Sequence, residues 1–200
     1  MKGWDSRWLF GLLALVVVGL VILSLQAGHD HLDHAAHGVP ARAIVPIPHD
    51  PASGLERYAA RPVPEEARCP VCGMYPARTP RWAAQLIFND GGALFFDSPL
   101  ELFRFLLRMD LYHAGHDAQD VARAYVSDAG DGRWVSIAEA YFVQGSRQLG
   151  PMRNQDLPAF AEHGDAEAFM AEQGGTLIRL EQITLDLLQS VEHAGHQALP

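Results

Sequence analysis

The chain has few cysteines, almost no lysine and no run of positive charge. Two cysteines in 200 residues cannot form the dense disulfide framework of a small secreted scaffold, so we expect folding to depend on a hydrophobic core. The formal net charge is −9, and scattered arginines carry almost all of the positive charge. Nucleic-acid binding favours basic stripes, so this distribution argues against a nucleic-acid partner.

Several catalytic patterns are also missing. The sequence contains no Ser/His/Asp series, no phosphate-binding glycine loop and no paired carboxylates that can be placed in an active site. We therefore expect a protein that is not an enzyme. The two cysteines are available for metal or redox chemistry.

Residues 8–25 form one long apolar run, WLFGLLALVVVGLVILSL, without a charged residue. At about 1.5 Å rise per residue, a helix of this length nearly matches the roughly 30 Å hydrocarbon core of a bilayer. Lys2 and Arg7 precede the run, whereas the next Lys or Arg is Arg42, so the positive-inside bias predicts that the body lies outside the cytoplasm. Residues 1–27 are thus predicted to be an uncleaved transmembrane anchor, with a cleaved signal segment as the alternative.

Residues 28–66 mix histidine, proline, alanine, arginine and acidic residues without apolar periodicity. Such a segment cannot bury enough surface to offset the entropy of ordering, which predicts a flexible, extended tether. The ordered body is expected to begin at residue 67, near the cysteines.

Residues 67–128 are typical of a first α+β unit. Two apolar, aromatic-rich runs, WAAQLIF and ALFF, flank the turn sequence NDGG and predict a β-hairpin. Ser98 and Pro99 then match the cap and first position of a helix, which should run to about Asp110. The segment ARAYVSD predicts a third strand.

Residues 133–181 repeat this order less clearly. WVSI and AEAYFVQG predict strands, GSRQLGPMRNQDLP is irregular, a helix is predicted from Asp165 to about Gln173, and TLIRL predicts a closing strand. The fold class is therefore predicted to be α+β, with two small homologous strand-strand-helix-strand units after an N-terminal membrane helix. Residues 182–200 add a short amphipathic helix and a histidine-containing tail.

Both cysteines lie in the stretch ARCPVCGMYPAR, residues 67–78, for which three ordinary interpretations exist. A local disulfide between Cys69 and Cys72 would close a very small loop and add little stability. A thioredoxin-type redox pair should precede a helix that lowers the pKa of the first thiol, whereas Gly-Met-Tyr-Pro follows here. Structural zinc would need four Cys or His ligands, and a second C-x-x-C is absent.

A soft metal site also accounts for the nearby methionine. Cys72 and Met74 lie two residues apart, and Gly73 allows the backbone to bend so that both sulphur atoms can converge. Cu(I) prefers thiolate and thioether ligands over oxygen donors. A lone methionine is more often a core residue than a ligand, but this one lies in a predicted loop. All four interpretations stay open from the residues alone.

The order of motifs resembles NosL-type proteins, which are periplasmic copper-binding accessories of nitrous oxide reductase. ARCPVCGM resembles the C-x-x-C-G-M opening of that family, LIFNDGGALFFDSPLELFRFL its hairpin and helix, and WVSIAEAYFVQGSRQLGPM with LPAFAEHGDAEAFMAEQGG its second half. The resemblance covers about residues 67–181. It implies two homologous α+β halves, about 67–128 and 133–181, and delivery of bound Cu(I) to a cuproenzyme.

The resemblance also implies which residues bind Cu(I). It points to Cys72 and Met74 in the C-G-M motif and to Met152 in the G-P-M motif, with Cys69 as a further candidate. Without the resemblance, Met152 reads as a core methionine at the end of a strand. The implied partners are a cuproenzyme client, with nitrous oxide reductase expected, an upstream copper donor and the inner membrane. The implied location is the periplasmic face of that membrane.

Two features depart from the family. Its members are commonly lipoproteins anchored through an N-terminal cysteine, whereas this chain has the apolar run at residues 8–25. Arg153 stands where a glycine is expected after G-P-M.

Two alternative functions stay open beside copper delivery. One is a periplasmic thiol-disulfide oxidoreductase, and the other is a passive copper buffer.

Histidines outside these motifs form a second group of candidates. The tract HDHLDHAAH follows the apolar run, and HAGH occurs twice. Solvated loop and tail histidines are the ordinary explanation, but if they bind metal, imidazole suits Cu(II) or Zn(II) better than Cu(I). The candidates are His29, His31, His34, His37, His113, His116, His193 and His196.

Overall fold

The computed structural model describes residues 44–113 and 115–197, with side chains up to residue 191. Within these residues the chain forms two antiparallel sheets and four α-helices. The strands are β1 Ala84–Phe88, β2 Ala93–Phe96, β3 Val121–Ser127, β4 Trp134–Ser136, β5 Tyr141–Gln144, β6 Ala159–Phe160 and β7 Thr176–Ile178. The helices are α1 Pro99–Leu107, α2 Met109–Tyr112, α3 His163–Gln173 and α4 Leu185–Gln197.

The first three strands of each sheet are arranged in the same order. The first is ordered β2-β1-β3-β4 and the second β6-β5-β7, so the earliest strand of each lies between the next two. Helices connect the second strand to the third in both cases. The predicted mixed class of helix and antiparallel sheet is confirmed, and the homology of the two halves stays a prediction.

The position of β4 differs from the prediction, which assigns WVSI to the second half. β4 pairs with β3 through Tyr125 and Ser136, and through Ser127 and Trp134, so it extends the first sheet. The second strand of the second sheet is instead β6, which directly follows the segment predicted to be irregular. Strands of two or three residues carry no clear periodicity, so only their pairing defines them.

The predicted β1–β2 hairpin is confirmed. Ala84 pairs with Phe96 and Ile87 with Ala93. In the turn, the Asp90 carboxylate accepts a hydrogen bond from the Gly92 N–H at 2.7 Å. Every residue of both strands is buried. Burial on both faces explains why these two runs are apolar apart from Gln85, rather than alternating.

One face of the hairpin packs on the main core. Leu86 and Phe88 belong to a buried cluster that also contains side chains of α1, β5 and α4. Phe103 of α1 meets Phe142 of β5 edge to face, with ring centroids 5.2 Å apart. Each such buried side chain contributes about 1.5–3 kcal/mol. Both sheets therefore share one hydrophobic core.

The other face of the hairpin is covered by the segment that precedes the cysteines. Ile47 exchanges two backbone hydrogen bonds with Ala93, each 2.8 Å long. The backbone of Arg61 pairs with the buried Gln85 side chain at 3.0 and 3.1 Å. Val63 packs against the same small cluster as Ile47.

Residues 44–66 thus differ from the flexible tether predicted for 28–66. Their apolar side chains contact the sheet singly rather than as a regular face, so the sequence shows no period. The rest of that segment and the predicted membrane helix at 8–25 lie outside the described residues. Among the described helices, none is long and apolar enough to cross a membrane.

Helix α1 begins as predicted but ends earlier. The Ser98 side chain accepts a hydrogen bond from the Glu101 N–H at 3.4 Å, and Pro99 is the first helical residue. The helix stops at Leu107, and the short helix α2 follows after Arg108, whose φ of −142° is not helical. The two later helices, α3 and α4, agree with the predicted ones.

Asp156 joins the two halves of the fold. Its carboxylate is buried in the loop between β5 and β6, and Oδ1 accepts hydrogen bonds from the N–H groups of Leu100 at 3.1 Å and Leu157 at 2.8 Å. Leu100 lies in the first turn of α1, where N–H groups have no partner within the helix. Burial raises the pKa of Asp156 to about 6, although these hydrogen bonds and one from Ser98 act in the opposite direction.

The raised pKa of Asp156 predicts a pH-dependent stability. Its ordinary pKa is 3.8 and its folded pKa about 6, so between these values the folded chain binds more protons and its free energy of unfolding falls as pH rises. Asp156→Asn cannot titrate. Relative to that variant, we expect the wild type to lose about 3 kcal/mol across this window, at about 1.4 kcal/mol per pKa unit. Urea unfolding at several pH values measures the difference, and parallel pH curves for the two proteins would contradict it.

Candidate metal site

A tight turn carries the two cysteines. The Cys69 N–H donates to the Met74 carbonyl, and the Gly73 N–H donates to the Cys69 carbonyl, both at 2.9 Å. Gly73 has a φ of 75°, a left-handed conformation that favours glycine. The next regular element is a short 3-10 turn over Pro76–Arg78. The C-x-x-C-G-M sequence is thus a closed loop held by its own backbone.

Cys69, Cys72 and Asp97 form one compact cluster. One possible ligand atom from each residue lies within 4.8 Å of the other two. The Cys72 thiol donates a hydrogen bond to Asp97 Oδ1 at 2.9 Å. Cys69 and Asp97 are buried, Cys72 is partly exposed, and both cysteines are free thiols. The cluster is therefore reached from solvent on the Cys72 side.

Asp97 is the site residue that the sequence analysis missed. It lies between β2 and Ser98, the cap of α1, and folding brings it to Cys72 across 25 residues of chain. The available signal is an acidic residue in FFDSP, which by itself indicates only a helix start. Within the described chain, Asp97 Oδ2 is buried without a hydrogen-bond partner. Such an atom costs free energy, which a nearby cation would offset.

The surroundings of Cys72 favour its protonated form. The hydrogen bond with Cys69 is the largest of the effects that raise the pKa of Cys72, followed by burial, the charge of Cys69 and the hydrogen bond to Asp97. The Met74 N–H acts in the opposite direction. In the absence of a metal ion, these contacts therefore keep Cys72 as a thiol. A bound metal ion would instead stabilise the thiolate.

Tyr75 is held between two arginines beside the cysteine turn. The guanidinium carbons of Arg68 and Arg78 lie 4.2 and 4.4 Å from its ring centroid. Arg68 also donates hydrogen bonds to the Tyr75 hydroxyl and, at 3.2 Å, to the Gly73 carbonyl. These contacts stabilise the conformation of the turn that carries Met74.

The two candidate methionines lie at the surface. The exposed fraction is 41% for Met74 and 46% for Met152. Neither side chain belongs to a hydrophobic cluster of the described residues. The interpretation of Met152 as a core methionine is therefore wrong, whereas the ligand roles of both methionines stay predictions.

The loop that carries Met152 packs against the N-terminal end of α1, which follows Asp97 in the sequence. A Cβ built on Gly150 would lie 2.5 Å from Asp156 Oδ2 and 2.7 Å from Asp156 Cβ, so the loop backbone rests directly on this carboxylate. Asp156 in turn accepts the hydrogen bond from Leu100 in α1. Both candidate loops therefore meet the N-terminal end of one helix.

Arg153 adopts a left-handed conformation, with a φ of 61°. The family resemblance predicts a glycine at this position, and glycine adopts such a conformation without steric cost. The backbone here therefore has the conformation suited to glycine, although arginine occupies it.

The candidate histidines fall into two groups. His113 and His116 are described, and their rings contact each other beside Asp90. Burial, followed by the charge of His116, lowers the pKa of His113. The tract at residues 29–37 lies outside the described residues, and so do the side chains of the second HAGH at 193–196.

The contact between Gly150 and Asp156 predicts the effect of a single methyl group. Gly150→Ala should destabilise the fold by about 1–3 kcal/mol, because the new Cβ would overlap the buried carboxylate. Gly164→Ala is the matched control, since a Cβ at Gly164 in α3 would have no atom within 4 Å. Urea unfolding of both variants measures the effect. Equal stabilities would mean that the loop does not rest on Asp156.

Comparisons with known proteins agree on one family. The family model described as NosL matches residues 60–188. The copper-binding lipoprotein NosL of Stutzerimonas stutzeri is 32% identical over 132 residues, which are 64% of this chain and 68% of the relative. A protein of the same name from Achromobacter cycloclastes is 34% identical over 55 residues, 28% of each chain.

A solved structure has a similar fold. The crystal structure of the copper chaperone NosL from Shewanella denitrificans is 27% identical, with a TM-score of 0.54. The similarity covers 64% of this chain and 97% of that structure. The family match spans more than half of the 200 residues and includes the thiol cluster and the Met152 loop. On these grounds, the chain belongs to the NosL family.

Proposed function

We propose that this protein is a Cu(I) metallochaperone that supplies copper for the maturation of a periplasmic cuproenzyme. The observation that carries the proposal is the cluster of two free thiols and one buried carboxylate at the start of α1. The proposed ligands are Cys72, Met74 and Met152, with Cys69 as a further candidate. Copper is the cargo of this protein, and the proposed role is delivery rather than catalysis.

The proposed donor set suits Cu(I) better than other common metals. Thiolate and thioether sulphur are soft ligands, which Cu(I) prefers over carboxylate and carbonyl oxygen. Structural zinc sites use four Cys or His ligands, whereas the cluster offers two cysteines and a carboxylate. The surface exposure of Met74 and Met152 supports a ligand role, because neither side chain contributes to the hydrophobic core.

Asp97 has a different role from the sulphur ligands in this proposal. Its hydrogen bond of 2.9 Å holds the Cys72 sulphur in place. Copper binding requires the thiolate, so the thiol proton must leave. Asp97 Oδ1 is the acceptor already in contact with that proton. The proton then leaves to solvent, and the cation offsets part of the negative charge of the buried carboxylate and the new thiolate.

The named relatives support copper as the cargo. One is called a copper-binding lipoprotein and another a copper chaperone. We propose nitrous oxide reductase as the client and a separate periplasmic protein as the copper donor. We further propose that residues 8–25 anchor the chain at the periplasmic face of the inner membrane, in place of the lipid that the curated relatives' name implies.

Cu(I) affinity tests the proposed ligands directly. In an anaerobic competition titration of the reduced full chain in detergent, we expect one tightly bound Cu(I). Cys72→Ser should weaken binding by at least about 100-fold, and Met74→Leu and Met152→Leu by about 10-fold each, or about 1.4 kcal/mol.

Met109→Leu is the matched control for the titration. Met109 is buried in the core at the start of α2, so the same chemical change there should leave Cu(I) affinity unaltered. A wild type that cannot compete with the chelator would refute the proposal. Wild-type affinity in both surface methionine variants would remove them from the ligand set.

Copper transfer distinguishes a chaperone from a passive buffer. We expect the copper-loaded chain to raise the copper content of metal-free nitrous oxide reductase faster than an equal amount of chelator-buffered Cu(I) does. The measurement is the copper content of the client after separation from the donor. A loaded chain that retains its copper, or that transfers no faster than the chelator, would indicate a buffer.

A further inference from the structure

A histidine pair lies at the opposite end of the β1–β2 hairpin from the thiol cluster. His113 Nε2 is 2.8 Å from His116 Nδ1, and His116 Nε2 is 3.1 Å from Asp90 Oδ2. Asp90 lies in the turn before β2, whereas Asp97 directly follows β2. The length of β2 therefore separates these nitrogen donors from the sulphur donors.

Both imidazole rings are positioned by the core. The His116 ring stacks on Phe88 with centroids 3.9 Å apart and an interplanar angle of 11°. The His113 ring lies parallel to the same phenyl ring at 5.6 Å. The rings are therefore ordered before any ligand binds.

Asp90 determines which His116 nitrogen carries the proton. Its Oδ1 accepts the Gly92 N–H at 2.7 Å, and its Oδ2 accepts the proton of His116 Nε2 at 3.1 Å. In the neutral tautomer that this contact selects, Nδ1 of His116 is the acceptor nitrogen, and it lies next to His113 Nε2. A carboxylate that holds the far nitrogen of an imidazole is the arrangement that orients metal-binding histidines.

We propose that His113 Nε2 and His116 Nδ1 bind a divalent first-row metal ion, with a preference for Cu(II), and that Asp90 is their positioning residue. The two nitrogens lie 2.8 Å apart, so one ion can reach both once the hydrogen bond between them breaks. Imidazole nitrogen suits Cu(II), which binds most tightly among the divalent first-row ions. The site is independent of the proposed Cu(I) function, since it shares no residue with it.

The protons balance without a change in charge on the protein. His113 donates its Nε2 proton to His116 in the metal-free pair, so binding moves this proton to His113 Nδ1 through solvent. Both rings stay neutral, and the His116 Nε2 proton stays on Asp90. Water molecules occupy the other metal positions, because Asp90 is already committed to Gly92 and His116.

A local measurement in the full chain tests this site. The Cys69→Ala/Cys72→Ala chain in detergent lacks the thiols that would reduce Cu(II), and amide NMR spectra are recorded during titration with Cu(II) alone. We expect the amide signals of residues 88–92, His113 and His116 to broaden at substoichiometric Cu(II). The same spectra show whether each variant retains its fold.

Three further variants decide the outcome. His116→Gln should abolish the local broadening. Asp90→Asn should raise the Cu(II) concentration that causes the local broadening by about 10- to 100-fold. The reason is that one amide oxygen cannot accept hydrogen bonds from both Gly92 and His116. His193→Gln is the matched control from the second HAGH motif, and it should leave the local broadening unchanged.

Two results of these titrations would contradict the proposed histidine site. The proposal is overturned by a parent chain without local broadening, or by unchanged broadening in a folded His116→Gln chain. If His116→Gln does not fold, Asp90→Asn carries the test, and an unchanged Cu(II) requirement in that variant overturns the proposal.

Discussion

The N-terminal end of helix α1 is the feature on which the candidate site depends. Unpaired N–H groups and the helix dipole favour negative charge at this point. Ser98 caps the helix, and Asp156 accepts a hydrogen bond from Leu100. Asp97 occupies the position just before the cap and accepts the hydrogen bond of Cys72. Two carboxylates can therefore be buried here together, where elsewhere in a core their burial would be prohibitively costly.

This arrangement couples segments that are far apart in the chain. The cysteine turn reaches the helix through Asp97, and the Met152 loop reaches it through Gly150 and Asp156. The edge-to-face contact between Phe103 and Phe142 joins the same helix to the second sheet. The second half of the fold thus supplies a loop that packs against the helix end beside the candidate metal site.

The β1–β2 hairpin separates two kinds of donor. Sulphur and carboxylate groups gather near the end of β2, while two imidazoles gather beside the turn at its start. The hairpin is buried on both faces, so packing on both sides fixes the positions of its two ends. Sulphur ligands favour Cu(I), whereas imidazole ligands favour divalent ions, so the two ends of the hairpin differ in the metal ions that their side chains suit.

Near-neighbour patterns in the sequence determined much of the local structure. The NDGG turn predicted the hairpin, Ser98 and Pro99 predicted the start of α1, and the C-G-M motif located the candidate site, because each depends on residues adjacent in the chain. Only the tertiary structure decided the rest. Asp97 meets Cys72 across 25 residues and Asp156 meets Leu100 across 56, and no local pattern encodes such pairs. For the same reason, the sequence did not predict that residues 44–66 pack on the hairpin or that β4 joins the first sheet. Each depends on a partner that only folding brings near.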